Sequence, residues 1–310
     1  MKEERRDFVH IREVLDEYWD QAEAEAAGLP FQGHVRTGLV DLDTLLGGLK
    51  GGNLIVLATR PSLGKTSLGL NIARNAAVGQ GARVAIFSLE MTAERIAQRL
   101  VASESGIDST RLCVGDHTER EERRLMHALG TLAGAEIYVD DTPVLGIMEI
   151  RGKALRLHRE KGLDLVFVDY LQLLHGGGRG DNRVQEISYI SRALKELARE
   201  LDAPVIAASQ LSRAPELRTP HIPQLSDLRE SGSIEQDADV VAFIYREDVY
   251  IGREQWQASH PEASGDTYPA GIAQIIVAKH RNGPTGTVHL RFRQQIAKFE
   301  DLLVREEEPV

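Results

Sequence analysis

Residues 53–77 of this 310-residue chain read NLIVLATRPSLGKTSLGLNIARNAA. An apolar strand pattern ends at Thr59, a tight loop follows, and Gly64-Lys65-Thr66 leads into a helical pattern. In a strand, loop and helix of this kind, the loop N–H groups and the helix N-terminus cradle phosphate groups. The stretch therefore predicts a phosphate-binding loop, although Thr59 stands where the strict motif has its first glycine.

The predicted nucleotide-binding residues run through this loop into the first helical turn. They are Arg60, Pro61, Ser62, Leu63, Gly64, Lys65, Thr66 and Ser67. We expect Lys65 to reach the β and γ phosphates and the Thr66 hydroxyl to hold Mg²⁺ of the bound ATP or other nucleotide. A chance Gly-Lys-Thr in a surface turn is the alternative, and the flanking strand and helix count against it.

Three polar residues end other apolar runs of the sequence. The carboxyl ends of parallel strands meet at one edge of a sheet, so these residues would lie near the phosphate loop. Asp169 is the candidate metal ligand beside Thr66. Glu90 is placed to orient or deprotonate the attacking water, and it would equally suit a helix N-terminus. Gln210 is placed to sense the γ phosphate.

The pattern along the chain predicts an α/β fold with a mainly parallel twisted sheet and helices on both faces. Apolar runs alternate with helix-length segments from residue 53 onward: NLIVLAT, RVAIFSLE, EIYVDD, LDLVFVDYLQLL, APVIAASQ and DADVVAFIY. The closely spaced runs GIAQIIVAKHR, TVHLRF and IAKFED then predict C-terminal antiparallel strands.

The composition is that of an ordinary globular protein, with 42% hydrophobic and 27% charged residues, which excludes disordered and coiled-coil classes for the whole chain. The single cysteine, Cys113, cannot form an internal disulfide. No stretch approaches the roughly 20 apolar residues of a membrane span. We therefore expect a soluble cytoplasmic protein with no membrane partner.

The net charge of -10 is concentrated at the chain ends. Residues 1–30 hold nine acidic and four basic side chains, and residues 300–310 hold five and one. The remainder is close to neutral and contains basic segments, so a polyanionic partner is compatible with an acidic protein.

Six motifs occur in a fixed order: TRPSLGKTS, FSLEM, VDYLQL, ASQLSR, DLRESGSIEQDAD and KHRNGPTG. Together they resemble the RecA-like motor domain of bacterial replicative helicases of the DnaB type, from about residue 37 to residue 299. The resemblance implies homo-hexameric rings that encircle single-stranded DNA, hydrolyse nucleoside triphosphates between subunits and translocate 5′ to 3′.

The resemblance also implies residue roles: Lys65 and Thr66 of Walker A, Glu90 as catalytic base, Asp169 of Walker B, and Gln210 as nucleotide sensor. Arg281 would be an arginine finger given to the neighbouring subunit, with Lys279 as its companion. Lys279 and Arg281 are two residues apart on a predicted strand, so they would share one face. The alternative to the arginine-finger role is that both side chains lie on a solvated strand face.

The family's DNA-contacting loops fall on two segments of this chain, the region of GGGRGDN at residues 176–182 and DLRESG at residues 227–232. The implied DNA-binding residues are Arg179, Arg183, Arg229, Glu230 and Gly232. Neither loop contains an aromatic residue, so base stacking is not expected and contact should be with the DNA backbone, independent of sequence.

We predict three regions: residues 1–33 form an amphipathic linker helix and connector, residues 34–300 the motor domain, and residues 301–310 an acidic tail. The helix covers residues 8–26, and its apolar stripe docks either on its own body or on a neighbouring subunit. The family's N-terminal collar, which recruits primase, does not precede it, so the chain is either truncated or a naturally collarless relative. Primase interaction is therefore in doubt, and a helicase loader is a further candidate partner.

The expected function is unwinding of duplex DNA during replication by an ATP-driven ring motor. One alternative is a RecA-family DNA-dependent ATPase acting in recombination or repair without processive unwinding. Another is an inactive module that uses nucleotide only to lock a ring, against which both Glu90 and Asp169 are present.

Overall fold

The computed structural model describes residues 10–12, 15, 19, 34–176, 183–228, 232–260 and 268–302. Within these residues the strands are β1 (His34–Val35), β2 (Leu49–Lys50), β3 (Leu54–Thr59), β4 (Val84–Ser88), β5 (Ile137–Asp140), β6 (Leu165–Asp169), β7 (Val205–Gln210), β8 (Val240–Tyr245), β9 (Ile272–His280), β10 (Gly286–Arg293) and β11 (Lys298–Asp301). The helices are α1 (Val40–Leu46), α2 (Lys65–Gln80), α3 (Ala93–Ser105), α4 (Ser109–Val114), α5 (Glu119–Ala133), α6 (Ile147–Lys161), α7 (Arg183–Leu201), α8 (Gly232–Asp237), α9 (Glu247–Tyr250) and α10 (Arg253–Ser259).

A nine-stranded sheet in the order β11-β10-β9-β8-β3-β7-β6-β4-β5 forms the centre of the protein. The strands from β8 to β5 are parallel, whereas β9, β10 and β11 are added antiparallel to one side. β1 and β2 form a separate two-stranded antiparallel sheet. The predicted fold class, a mainly parallel sheet with antiparallel C-terminal strands, is confirmed.

Two hydrophobic cores lie on opposite faces of the sheet because successive strand residues point to opposite sides. In β3, Leu54, Val56 and Ala58 face the core under α6 and α7, while Ile55 and Leu57 face the core under α1, α2 and α3. All five are almost fully buried. A strand buried on both faces explains the continuous apolar run in the sequence.

The apolar run at residues 163–174 is not one strand. β6 ends at Asp169, and Leu171–Leu173 form a turn of 3₁₀-helix. Leu171 and Leu174, three residues apart, are both buried in the α6–α7 core. The three-residue period of a 3₁₀ turn places them on one side, which a strand would not.

The end of the sequence also departs from its predicted strand. In the run IAKFED, Ile296 belongs to a 3₁₀ turn and Ala297 has a left-handed backbone with φ 50°. β11 therefore begins at Lys298. The division into three regions stays a prediction, although β11 reaches Asp301, the first residue of the predicted tail.

Of the predicted N-terminal helix, Ile11, Leu15 and Trp19 are helical and expose 57–64% of their surface. Most of residues 8–26 lies outside the described residues. Among the described residues, none of the helices combines the length and the apolar character of a membrane span.

Two glycines of α2 give a matched test of its packing. A Cβ on Gly69 would lie 2.2 Å from Cζ of the fully buried Phe167, whereas a Cβ on Gly79 would meet nothing within 4 Å. We expect Gly69→Ala to lower the free energy of unfolding by about 1–3 kcal/mol because the core is overpacked. Gly79→Ala should raise it by about 0.5–1 kcal/mol through helix propensity. Urea denaturation measures both, and a Gly69→Ala protein as stable as the parent would contradict this packing.

Candidate active site

The loop between β3 and α2 has the tight shape that phosphate binding requires. Ser62 and Gly64 both have positive φ, 67° and 110°. A Cβ on Gly64 would lie 2.8 Å from the Phe299 ring, so only glycine fits that position. The Thr59 hydroxyl donates to the Ile244 carbonyl at 3.0 Å, which accounts for threonine where the strict motif has glycine.

The predicted loop residues differ in what they contact. Arg60 uses its guanidinium to bind Glu216 at 2.7 Å and the Leu211 carbonyl at 2.8 Å. The loop is thereby tied to the segment that follows β7. Pro61 and Ser62 are exposed, Gly64, Lys65 and Thr66 are partly exposed, and Leu63 and Ser67 are buried.

Lys65, Thr66 and Asp169 come together at the carboxyl edge of the sheet, as the sequence predicts. Lys65 Nζ lies 3.0 Å from Oδ1 of Asp169, and the Thr66 hydroxyl donates to Oδ2 at 2.5 Å. The Asp169 side chain is 1% exposed. Lys65 Nζ also lies 3.8 Å from the centre of the Tyr170 ring. The buried carboxylate is thus neutralised by the lysine expected to bind phosphate.

Glu90 lies beside this cluster, two residues after the end of β4. The Leu89 N–H donates to the Asp169 carbonyl at 2.9 Å, which holds the segment after β4 against the end of β6. Glu90 itself is exposed. Burial raises the pKa of Tyr170, and the charges of Glu90 and Asp169 raise it further. Glu90, an exposed carboxylate next to a buried one, is therefore suitably placed to orient or deprotonate a water molecule.

Gln210 is the last residue of β7 and pairs in register with Thr59, so it lies directly beside the phosphate loop. Sequence reasoning missed its neighbour Gln172, which bonds to the main chain of Gln210 on the other side. The available signal was a polar residue within the otherwise apolar stretch 171–174.

Lys279 and Arg281 lie at the opposite edge of the sheet. His280 pairs with Val240, the first residue of β8, and the Arg281 N–H donates to the Asp239 carbonyl at 2.8 Å. Asp239 in turn bonds to Leu54, the first residue of β3. The six residues of β3 span about 20 Å. Arg281 is therefore a strand's length away from the phosphate loop of its own chain.

The prediction that both cations lie on one strand is wrong in detail, since β9 ends at His280 and Arg281 follows it. The register also shifts between Val241 and Ala242, at a bulge in this ladder. Both side chains nevertheless reach the end of α8: Lys279 donates to the carbonyls of Glu235 and Ala238, and Arg281 to that of Gln236.

Lys279 and Arg281 differ in how available they are to another molecule. Burial lowers the pKa of Lys279, and the positive charge of Arg281 lowers it further. Its ammonium group serves as a cap for the C-terminal carbonyls of α8. Arg281 keeps 47% of its side chain exposed and contacts Asp239 at 3.3 Å. Arg281 is thus the better placed of the two to reach a neighbouring chain.

Two of the predicted DNA-binding residues lie in the described parts of the chain. Gly232 is the exposed first residue of α8. Arg183 begins α7, forms an ion pair with Glu186 and donates to the Gln172 carbonyl at 2.7 Å. The other three, Arg179, Arg229 and Glu230, lie outside the described residues.

The residues present suit a magnesium ion accompanied by a nucleotide. Asp169 Oδ1 is buried and accepts no hydrogen bond from the described residues, although Lys65 Nζ is near it. No cluster of three or more His, Cys, Asp or Glu side chains that could hold a metal occurs among those residues. Mg²⁺ is usually bound by one or two protein oxygens together with phosphates and water, which Asp169 and Thr66 would match.

Sequence comparisons identify similar proteins. Residues 34–301 match the family model of the DnaB-like helicase C terminal domain. The chain is 45% identical over 302 residues to the replicative DNA helicase DnaC of Bacillus subtilis (strain 168), covering 95% of this chain and 62% of that protein. It is 46% identical over 291 residues to the replicative DNA helicase DnaB of Rickettsia conorii (strain ATCC VR-613 / Malish 7), covering 87% and 58%. The chain thus spans 62% or less of these two curated relatives.

Solved structures agree with this. An ATPase domain aligns over 96% of this chain and 100% of its own, with 36% identity and a TM-score of 0.84. A structure of a DnaB-like replicative helicase and its interactions with primase aligns over 96% and 68%, with 35% identity and a TM-score of 0.81. The RadB recombinase, at 20% identity and a TM-score of 0.51, shares the fold alone. The predicted RecA-like core is confirmed.

The pairing of Lys65 with Asp169 predicts a measurable effect on stability without nucleotide. Lys65→Met should lower the free energy of unfolding by about 3 kcal/mol, because it leaves a buried carboxylate without a cation. Adding Asp169→Asn to Lys65→Met should recover part of the loss.

Denaturant titration of the single and double variants measures this coupling. The control is Lys153→Met, which breaks the more exposed pair with Asp140 and should cost less than about 1 kcal/mol. Equal losses for Lys65→Met and Lys153→Met would contradict the account.

Proposed function

Because the chain belongs to the DnaB-like helicase C-terminal domain family, we propose that it is an ATP-driven ring helicase motor. In this proposal a homo-hexamer encircles single-stranded DNA, translocates 5′ to 3′ and unwinds duplex DNA during replication. The relatives' names and the family match support the proposal, and the geometry of the sheet gives it a mechanism.

The observation that carries the mechanism is that the predicted catalytic residues lie at two opposite edges of one sheet. Lys65, Thr66, Glu90 and Asp169 lie at the carboxyl edge, and Arg281 lies at the amino edge. A complete active site therefore needs two copies of the chain, one placing its carboxyl edge against the other's amino edge. Repetition of such a head-to-tail contact gives a ring when the rotation between neighbouring copies closes, and the proposed hexamer is a ring of this kind.

Each residue has a definite task in this proposal. Lys65 leaves Asp169 to bind the β and γ phosphates, while Asp169 and Thr66 would hold Mg²⁺, which neutralises phosphate charge when bound. Glu90 orients and deprotonates the attacking water. Gln210, beside the loop, contacts the γ phosphate. Arg281 of the neighbouring subunit stabilises the charge that develops in the transition state.

The alternative of a recombination or repair ATPase is not favoured. The likeness to the RadB recombinase is at 20% identity, whereas the replicative helicases reach 45% over 95% of the chain. An inactive nucleotide-binding module is disfavoured by the buried Asp169 and the adjacent exposed Glu90.

Mixing two inactive variants tests the shared site. Arg281→Ala and Lys65→Ala should each lower ATP hydrolysis in the assembled ring by about 10³-fold or more. In a mixed ring, the intact phosphate loop of one variant meets the intact arginine of the other. In an equal mixture about one interface in four is complete in this way, and hydrolysis and unwinding of a forked duplex should partly return.

The matched control mixes Arg281→Ala with the double variant Lys65→Ala/Arg281→Ala, which contains no complete interface. Its activity should stay at the level of the single variants. Failure of the first mixture to gain activity, in rings shown to be mixed, would contradict the shared site.

DNA binding is the second part of the proposal and is assigned to Arg179, Arg183, Arg229, Glu230 and Gly232. Each phosphate contact to a single strand contributes about 0.7 to the slope of log affinity against log salt concentration. Arg229→Gln should reduce that slope by about this amount, equally for DNA of any sequence. Arg123→Gln, on an exposed arginine of α5, is the control and should leave the slope unchanged. A slope equal for Arg229→Gln and the parent, measured by fluorescence anisotropy, would overturn the assignment.

A further inference from the structure

Gln172 occupies a gap in the hydrogen-bond ladder beside Gln210. The β6–β7 pairing ends at Val168 and Ala207, because the chain leaves the sheet after Asp169. Gln210 is paired with Thr59 of β3 on its other side. Its main-chain N–H and carbonyl on the β6 side would therefore lack a strand partner.

The side-chain amide of Gln172 takes the place of that partner. Its Oε1 accepts from the Gln210 N–H at 3.1 Å, and its Nε2 donates to the Gln210 carbonyl at 3.2 Å. Nε2 also donates to the Ser209 hydroxyl at 2.9 Å. A primary amide carries one acceptor and two donors side by side, so it can reproduce a strand's pair of bonds. No other single residue type of this length carries out both functions without a charge.

The main chain of Gln172 is held from a different direction. Its carbonyl accepts from Arg183, the first residue of α7, at 2.7 Å. Arg183 also pairs with Glu186, which accepts the Gly176 N–H at 2.9 Å. One residue thus bonds to the end of β7 at the nucleotide edge and to the beginning of α7.

We propose that Gln172 is a positioning residue that couples Gln210 to Arg183. A shift of Gln210 on meeting the γ phosphate moves the Gln172 amide, and with it the carbonyl that holds Arg183. Coupling between two sites acts in both directions, so DNA contact at the start of α7 also changes the position of Gln210. This inference rests on the proposed function, which assigns γ-phosphate sensing to Gln210 and DNA contact to Arg183. The hydrogen bonds of Gln172 do not depend on that assignment.

Three variants separate positioning from general stability. Gln172→Met keeps the side-chain length and removes all three side-chain bonds. Gln172→Glu keeps an acceptor for the Gln210 N–H and for the Ser209 hydroxyl, and opposes only the Gln210 carbonyl. Gln255→Met makes the same change at an exposed residue of α10 and is the control.

DNA-stimulated ATP hydrolysis is the first readout. Gln172→Met should lower kcat by about tenfold and leave KM for ATP within about twofold, because the phosphate loop is untouched. Gln172→Glu should fall between, and Gln255→Met should match the parent. An unchanged kcat in Gln172→Met, or a rise in KM alone, would overturn the proposal.

Hydrogen exchange with a non-hydrolysable ATP analogue and no DNA is the second readout and does not depend on helicase activity. In the parent, the analogue should slow amide exchange both at Gln210 and in the first turn of α7. In Gln172→Met the response in α7 should be lost, while Gln255→Met keeps it. An α7 response absent from the parent, or unchanged in Gln172→Met, would refute the coupling.

The two readouts keep this proposal distinct from the proposed function. A parent protein that fails to unwind DNA would contradict the helicase assignment, and hydrogen exchange would still decide the role of Gln172.

Discussion

The common direction of the parallel strands decides which predicted site residues can lie near one another. Six neighbouring strands run the same way, so their carboxyl ends share one edge of the sheet and their amino ends share the other. Asp169 and Gln210 are the last residues of β6 and β7, and the phosphate loop and Glu90 follow the carboxyl ends of β3 and β4. Arg281 is delivered to the amino edge because β9 runs antiparallel to β8. In the proposed ring these are two halves of one site, which a single chain cannot close by itself.

Both cations expected to act on phosphate rest on carboxylates in this structure. Lys65 neutralises Asp169, which has no second cation beside it among the described residues. When Lys65 moves away, another positive charge must therefore take its place beside Asp169. Arg281 contacts Asp239 at 3.3 Å, but Lys195 also pairs with Asp239 at 2.5 Å. Asp239 therefore stays paired when Arg281 leaves. The difference makes the arginine the easier of the two to transfer to a neighbouring chain.

The sequence was sufficient for features that depend on local pattern. The phosphate loop needs a strand, a glycine turn and a helix in succession, and Asp169 ends an apolar run, so both were predictable. Features that depend on contacts between distant segments of the chain could not be predicted. The capping of α8 by Lys279 and the bonding of Gln172 to Gln210 each join segments about 40 residues apart, which no local pattern reports. The 3₁₀ turn after Asp169 could not be predicted because the short apolar stretch 171–174 fits a buried strand and a 3₁₀ turn equally well.

In the proposed ring, one chain holds an incomplete site and neighbouring chains complete it. The most direct test is the mass of the native protein in the presence of a non-hydrolysable ATP analogue and single-stranded DNA. Native mass spectrometry should show six copies of the 34.3 kDa chain bound to one DNA strand. A protein that binds nucleotide and DNA but remains a monomer at every concentration would contradict the account, because Arg281 would then have no phosphate to reach.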